Sequence, residues 1–568
     1  MFLIYLSFFI SSIYFILLGC LSCRVLFNEN IKIKKNYYEL ALIGIITGSI
    51  LPFLLNFFIN LNRYLNDLLF ILPFVAVFFS NKIKKELDFQ KIIYISLIIA
   101  LISTILISYD NVYRPDAGSY HLPFVSILND NKIIIGLSNL HFRFGHISII
   151  QYLSASFNNH IFFNNGILIP LALIFSFFTL YLLKYFSSEK SNINILIVFI
   201  FLIFIFFRMN RYSSFGNDAP AHFYFLYLII LSLNYKENIK NYYTFFNKLS
   251  LVSIFIFFNK ITMLLAFIVP LYFIFNKKFL KIYKNKVFIL IIFIFFSWIG
   301  KNILISGCAA FPLEQTCFKN LEWFDKSETR RSNAISGRIE NEAWTKNVTG
   351  QSEKGFEEYI STFEWVSTWK ENHGKKIVKK ITPFIIFIIL LTAYLLFIGK
   401  SNKTKLFKKE NSFLHFLIIL NLLGSILWFI KFPVFRYGYG YLIGLFAILY
   451  SLILLNFIKI DYADLRKKSQ IIFCIFFIAL LGKHTFRIYE NFNVKSSPWP
   501  NIYSDKKINT IYHNIPNYKN GELIFYTPEL PMCYYSDLTP CTNMTHEVNT
   551  NDIQLEIIYG YKKYSFIK

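Results

Sequence analysis

Six short stretches of this chain gather side chains able to hold charge or move protons. The first reads RPDAGSYHLP and carries Asp116, Tyr120 and His121. A carboxylate followed five residues later by a histidine can present both groups to one site across a helix start, where a negative charge is favoured electrostatically. GLSNLHFRFGH follows, with His141, Arg143 and His146. In GNDAPAHF, Asp218 stands at the mouth of an apolar run, Pro220 is tolerated in the first turn, and His222 falls one turn on, upon the same face. FNKITMLLAF contributes Lys260, and KNILISG contributes Lys301 and Asn302. KFPVFRYGYG brings Lys431, Arg436 and Tyr437; the arginine fork can bind two phosphate oxygens at once.

Together these types suit group transfer from a phosphate leaving group. A carboxylate accepts the proton of an attacking hydroxyl, and cations, or a metal held by carboxylates, stabilise the departing phosphate. Blander readings stand beside this one. The first loop can be a solvated segment, Asp218 an interfacial N-cap, and Arg436 a snorkelling residue between aromatics.

The elements that must position these groups are membrane helices. The 568 residues are 55% hydrophobic, 20% aromatic and only 16% charged, a composition that would leave a soluble fold with excessive apolar surface. Apolar runs of roughly 18 to 25 residues match about 30 Å of hydrocarbon, and their continuity excludes the alternation of a barrel. Spans are expected near 2–24, 39–61, 65–80, 91–109, 161–184, 192–209, 219–234, 249–275, 287–305, 380–399, 412–430, 438–458 and 469–486. No positively charged n-region or cleavage signature accompanies 1–27, so it is expected to be retained as the first helix.

The net charge of +25 resides in lysine clusters between runs, a positive-inside pattern that excludes a nucleic-acid partner. Only 249–275 has basic flanks on both sides. A tight helical pair with its apex at Asn259-Lys260 and limbs of about 10 to 15 residues restores the alternation. This gives about 13–14 transmembrane helices, with 110–160, 210–218, 306–378 and the tail on the outer side. Within 110–160, the stretches 119–129 and 145–157 are amphipathic and are expected to lie on the membrane surface. Cys308 with Cys317, and Cys533 with Cys541, are close pairs on that side and are disulfide candidates. Cys20, Cys23 and Cys474 fall within spans.

At these motifs the chain resembles the GT-C superfamily of integral-membrane glycosyltransferases, which use polyprenyl-phosphate-linked sugars. The resemblance implies that Asp116 is the base and that Asp218 is the second acidic residue of the next outer loop. FNKITMLLAF resembles the lysine-bearing helical pair of such enzymes, and KFPVFRYGYG their Pro-x-x-Arg-Tyr segment near the donor phosphate. From about residue 90 onward the order of DAGSYH, GLSNLHFRFG, GNDAPAHF, KNILISG and the Cys533 to Pro540-Cys541 pattern resembles an uncharacterised bacterial family of large GT-C-like membrane proteins. Three spans precede the one leading into the Asp116 loop, and no acidic neighbour follows Asp116; both depart from the superfamily pattern.

The expectation is therefore an all-α polytopic GT-C-like membrane protein of the bacterial inner membrane, with a small α/β C-terminal tail. It divides into N-terminal helices 1–90, a core 91–305, an outer loop domain 306–378, helices 379–486 and a tail 487–568. It would transfer a sugar from a polyprenyl-phosphate donor to a glycan, glycolipid or protein acceptor amid membrane lipids. Catalytic candidates are Asp116, His121 and Asp218; Lys260, Arg436 and Tyr437 would bind the donor phosphate. Tyr120, Arg143, His146, His222 and Lys301 are further pocket candidates. The resemblance allows a divalent cation, Mg or Mn, on Asp116 and Asp218. Alternatives are an O-antigen-type polymerase or ligase, which would lean on arginines, and a transporter or flippase, which would place charges near the midplane or within repeats.

Overall fold

The computed structural model describes residues 1–29, 36–110, 116–210, 215–234, 242–274, 285–324, 339, 341–346, 356–401, 412–503, 510–513, 525–528, 532–536, 539–542 and 553–566. These are nearly all helical. Among them, nine helices are long and apolar enough to cross a membrane: Phe2–Phe27, Tyr37–Leu55, Phe89–Ile107, Phe163–Ser188, Lys286–Ser306, Trp365–Phe397, Ser412–Lys431, Tyr439–Phe457 and Tyr462–Phe492. The chain is a membrane protein.

Each of the thirteen expected runs is mostly helical among the described residues, yet fewer meet the length of a full span than the 13–14 expected. Asn192–Arg208 and Asp218–Leu233 are 17 and 16 residues long, about 25 Å at 1.5 Å per residue. Their residues 195–206 and 220–232 are all buried. Such helices meet protein rather than lipid, so neither needs to match the hydrocarbon thickness.

The run at 249–275 folds into two antiparallel limbs about Lys260. Ser253 donates to the Ala266 carbonyl at 3.0 Å, and the Phe245 and Phe273 rings lie 5.3 Å apart. The first limb, Tyr242–Asn259, has 18 residues, longer than expected because it begins inside the basic connection. The second starts as a 3-10 turn, Ile261–Phe267, and continues as Ile268–Ile274.

The two ends of the bundle each collect alternate connections. At one end Lys248 pairs with Glu29 at 2.6 Å, Arg24 with Glu86 at 3.6 Å, and Lys400–Ser401 pairs with Ile458–Lys459 as a short antiparallel bridge. These are the lysine-rich connections. The opposite end gathers the 116–160 and 215–218 segments, the Lys260 apex and the 308–324 and 432–437 loops.

The N-terminal helices pack without a gap. A Cβ on Gly19 would come within 1.8 Å of the Leu40 carbonyl oxygen, and one on Gly44 within 2.1 Å of that of Phe15. Both positions need the bare backbone that lets membrane helices approach closely.

One expectation about the outer segments is corrected. Leu122–Asp130 and Ile149–Ser156 are helices, but residues 122–129 and 149–156 are all buried, so neither lies on a surface. Their polar faces bond inward: Asn129 donates to the Leu61 and Ala155 carbonyls at 2.8 and 2.9 Å. Sequence periodicity reads that face as solvated because the partners lie far away in the chain. In the tail, the described residues after 492 form antiparallel pairs and no helix: Thr510–His513 with Phe525–Pro528, and Ile553–Ile558 with Tyr561–Phe566. The alternation of these short segments favours strands. Residues 325–338, 340 and 347–355 of the expected outer loop domain lie outside the described residues. Its boundary at 378 falls inside the helix Lys375–Ile398.

Candidate functional site

Asp116 opens a wide π-helical turn, Ala117–His121, that runs into Leu122–Asp130 with Pro123 in its first turn. The hairpin apex anchors the following segment: Asn259 Oδ1 accepts from the Ser148 hydroxyl and the Ile150 N–H, both at 3.1 Å. Asp218 begins the helix Asp218–Leu233. Lys260 follows Asn259, its N–H bonded to the Ile256 carbonyl at 3.0 Å. Arg436 and Tyr437 sit in the Phe435–Tyr437 turn. Two indoles fix that turn: Trp428 donates to Val434 O at 2.8 Å and Trp369 to Pro433 O at 2.7 Å.

These four segments converge on a chain of ion pairs. Arg436 Nη2 donates to Asp116 Oδ2, Arg436 Nε lies 3.4 Å from Asp218 Oδ2, and Lys260 Nζ donates to Asp218 Oδ1. The Tyr437 ring lies under Lys260, 3.7 Å from its ammonium, and Arg143 stands 5.0 Å over the Tyr120 ring. The groups line a cavity of about 170 Å³, more than ten times the roughly 15 Å³ that admits one water. It is far larger than a packing defect.

His121 is buried beside the charged chain, with Nδ1 3.1 Å from Gln151 Nε2. Its other nitrogen faces Gly216, where a Cβ would approach Nε2 to 2.8 Å. Burial pushes the His121 imidazole down to about 4 against the pull of Asp116 and Asp218, so it is neutral at pH 7. His146, edge-on to Phe311 at 5.2 Å, is pushed down to about 3 by burial and then by Arg143. Burial, and next the Asp116 carboxylate, raises the Tyr120 hydroxyl well above its usual range.

Of the candidates, Asp116, Tyr120, His121, Arg143, His146, Asp218, Lys260, Arg436 and Tyr437 all line the cavity. Two do not. His222 is buried with Nδ1 accepting the Gly440 N–H at 3.1 Å, so it ties the Asp218 helix to the one starting at Tyr439. Lys301 is fully buried elsewhere, donating to the Phe53 carbonyl at 2.7 Å and Asn56 Oδ1 at 3.3 Å between the Phe53, Phe57 and Tyr152 rings. It caps the end of the Tyr37–Leu55 helix. Trp298, Thr262, Asn341 and Thr345 line the cavity without having been singled out. Trp298 stands one turn before Asn302 on the same helix face, a spacing that could have flagged it.

Cys308 is joined to Cys317, and Cys533 to Cys541. Cys20 and Cys23 form no disulfide and are buried; Cys474 forms none and is exposed.

The donor set does not fit a divalent cation. Both carboxylates are engaged by protein cations, and among the described residues no group of three His, Cys, Asp or Glu side chains could hold a metal ion. Oxygen-loving cations take several such ligands.

Fold and site together define a nearly all-α membrane protein with a charged cavity at one end of its bundle. The chain belongs to the DUF8201 family, described as a domain of unknown function, whose match covers residues 1–443. That stretch includes all the ion-pairing residues of the cavity. No curated protein and no solved structure matches the chain.

Proposed function

We propose that the protein is a membrane glycosyltransferase that moves a sugar from a polyprenyl-phosphate donor to a glycan, glycolipid or protein acceptor. The observation that carries this reading is the Asp116–Arg436–Asp218–Lys260 chain, assembled from four remote segments around one cavity. The disulfides at the cavity's end and the lysine-rich connections at the other support a non-cytoplasmic site in a bacterial inner membrane.

In this mechanism the donor phosphate takes Arg436 and Lys260 as its counter-ions, and Arg436 turns from Asp116 toward it. Asp116 then accepts the proton of the acceptor hydroxyl. The acceptor oxygen forms a bond to the anomeric carbon, the bond from that carbon to the phosphate oxygen breaks, and the electron pair leaves with the phosphate. Arg436 and Lys260 stabilise that charge in a water-poor site. His121, neutral, contributes hydrogen bonding and not acid–base exchange.

The test compares glycans and glycolipids of cells carrying the wild-type chain or Asp116→Asn. Loss of one product by about 10²-fold or more, with equal protein in the membrane, is expected. An unchanged product profile overturns the reading.

A further inference from the structure

The same charged chain says something about metals. We infer that Lys260 is a built-in cation: it occupies the place beside Asp218 that a divalent ion would take, and it keeps such ions out. The phosphate facing it rests on the proposed function; the statement about cations does not.

Three observations carry the inference. First, both carboxylates are already paired with protein cations. Asp218 is held by Lys260 on one oxygen and approached by Arg436 on the other, and Asp116 is held by Arg436. Second, the cavity histidines do not complete a ligand set with them. His121 is bonded through Nδ1 to Gln151, and His146 packs against Phe311. Third, charge is already balanced. Asp116 and Asp218 face Lys260 and Arg436, and Arg143 adds a further positive charge at the cavity wall. A dication beside Asp218 would meet repulsion from Lys260 and Arg436 at short range.

Lys260 is also fixed as an ion in a site would be. Its backbone forms the hairpin apex, with the Met263 N–H bonded to its carbonyl at 2.9 Å, and the Tyr437 ring supports its ammonium. An ammonium has three donors; with one on Asp218, two remain for an anion entering the cavity.

The test uses the full-length protein in detergent and Mn²⁺ followed by electron paramagnetic resonance and by metal analysis after desalting. Wild type is expected to bind no stoichiometric ion at millimolar Mn²⁺. Lys260→Gln is expected to bind Mn²⁺ about ten-fold more tightly than wild type or better, and Lys260→Gln with Asp218→Asn to lose that gain. One ion per wild-type chain, abolished by Asp218→Asn alone, overturns the inference. Equal, negligible binding by wild type and a folded Lys260→Gln overturns the claim that Lys260 excludes the ion. If Lys260→Gln does not fold, the wild-type titration still decides. Either failure leaves the Asp116→Asn product test untouched.

Discussion

Arg436 reaches Asp116 across a separation of 320 residues, and its Nε lies 3.4 Å from Asp218, so one guanidinium sets the spacing of both carboxylates. A lysine there has the charge but no planar fork. Arg436→Lys is therefore expected to hold one carboxylate and release the other. Product formation should fall by about 10²-fold with unchanged membrane abundance, read by quantifying the product that Asp116→Asn abolishes. Near-normal output from Arg436→Lys would mean that the bridge is not needed.

Gly216 gives a sharper steric test. A Cβ there would sit 2.8 Å from His121 Nε2, inside the space real Cβ atoms keep, and the imidazole is pinned on its other side by Gln151. Gly216→Ala should push His121 into the cavity and lower product formation by about ten-fold. Gly300→Ala is the control, since nothing lies within 4 Å of its Cβ and alanine favours a helix interior. Equal effects of the two substitutions would remove His121 from the site's working geometry.

These residues also show what was legible beforehand. Runs of apolar residues and lysine clusters locate the helices and their alternate ends, because hydropathy and charge are local properties. The break of alternation at 249–275 located the Lys260 turn for the same reason. Burial is not local: the helices 122–130 and 149–156 have polar faces whose partners, such as Leu61 for Asn129, lie outside any sequence window. Lys301 and His222 illustrate the same limit. Each is an ionisable group in an apolar run, a fair signal of function, yet one caps a helix end and the other ties two helices together. Asn341 and Thr345 reach the cavity only through tertiary folding of the outer loop, and nothing in their spacing announces it.

The buried histidines make stability depend on pH. His121 and His146 are held down to about 4 and about 3 by burial, against about 6.5 in an unfolded chain. Between those values the unfolded chain binds more protons, so stability is fully present above about 6.5 and is lost as pH falls toward 4. Each histidine contributes a slope of up to ~1.4 kcal/mol per pH unit in that window. Thermal unfolding in detergent should be flat from neutral pH to about 9, below the ordinary tyrosine range, and should decline below neutral pH, and His121→Gln should make that decline shallower. A decline of the same steepness in His121→Gln would assign it to other groups.

The tail closes over the turn that bears Asp116. The Tyr534 N–H donates to the Gly118 carbonyl at 2.8 Å, and the Tyr534 ring fills the space where a Gly118 Cβ would be, 2.9 Å away. Tyr535 adds a second grip, receiving a bond from Asn158 at 2.8 Å and donating to Asn129 at 3.1 Å. Cys533 and Cys541 bracket both tyrosines, so their bond joins the two sides of the clamp. Replacing both cysteines by serine should leave the membrane helices intact, because those helices pack through apolar faces and the Gly19–Gly44 crossing. It should nevertheless release the Asp116 turn and lower product formation, since displacing a reacting group by about 1 Å can cost about 10²-fold. Alkylation of unreduced wild-type protein, unfolded in detergent and read by mass spectrometry, should modify Cys20, Cys23 and Cys474 and spare the other four cysteines until a reductant is added. Modification of Cys533 without reductant would show the clamp to be open, and full activity of the double serine variant would show that the Asp116 turn holds its position without it.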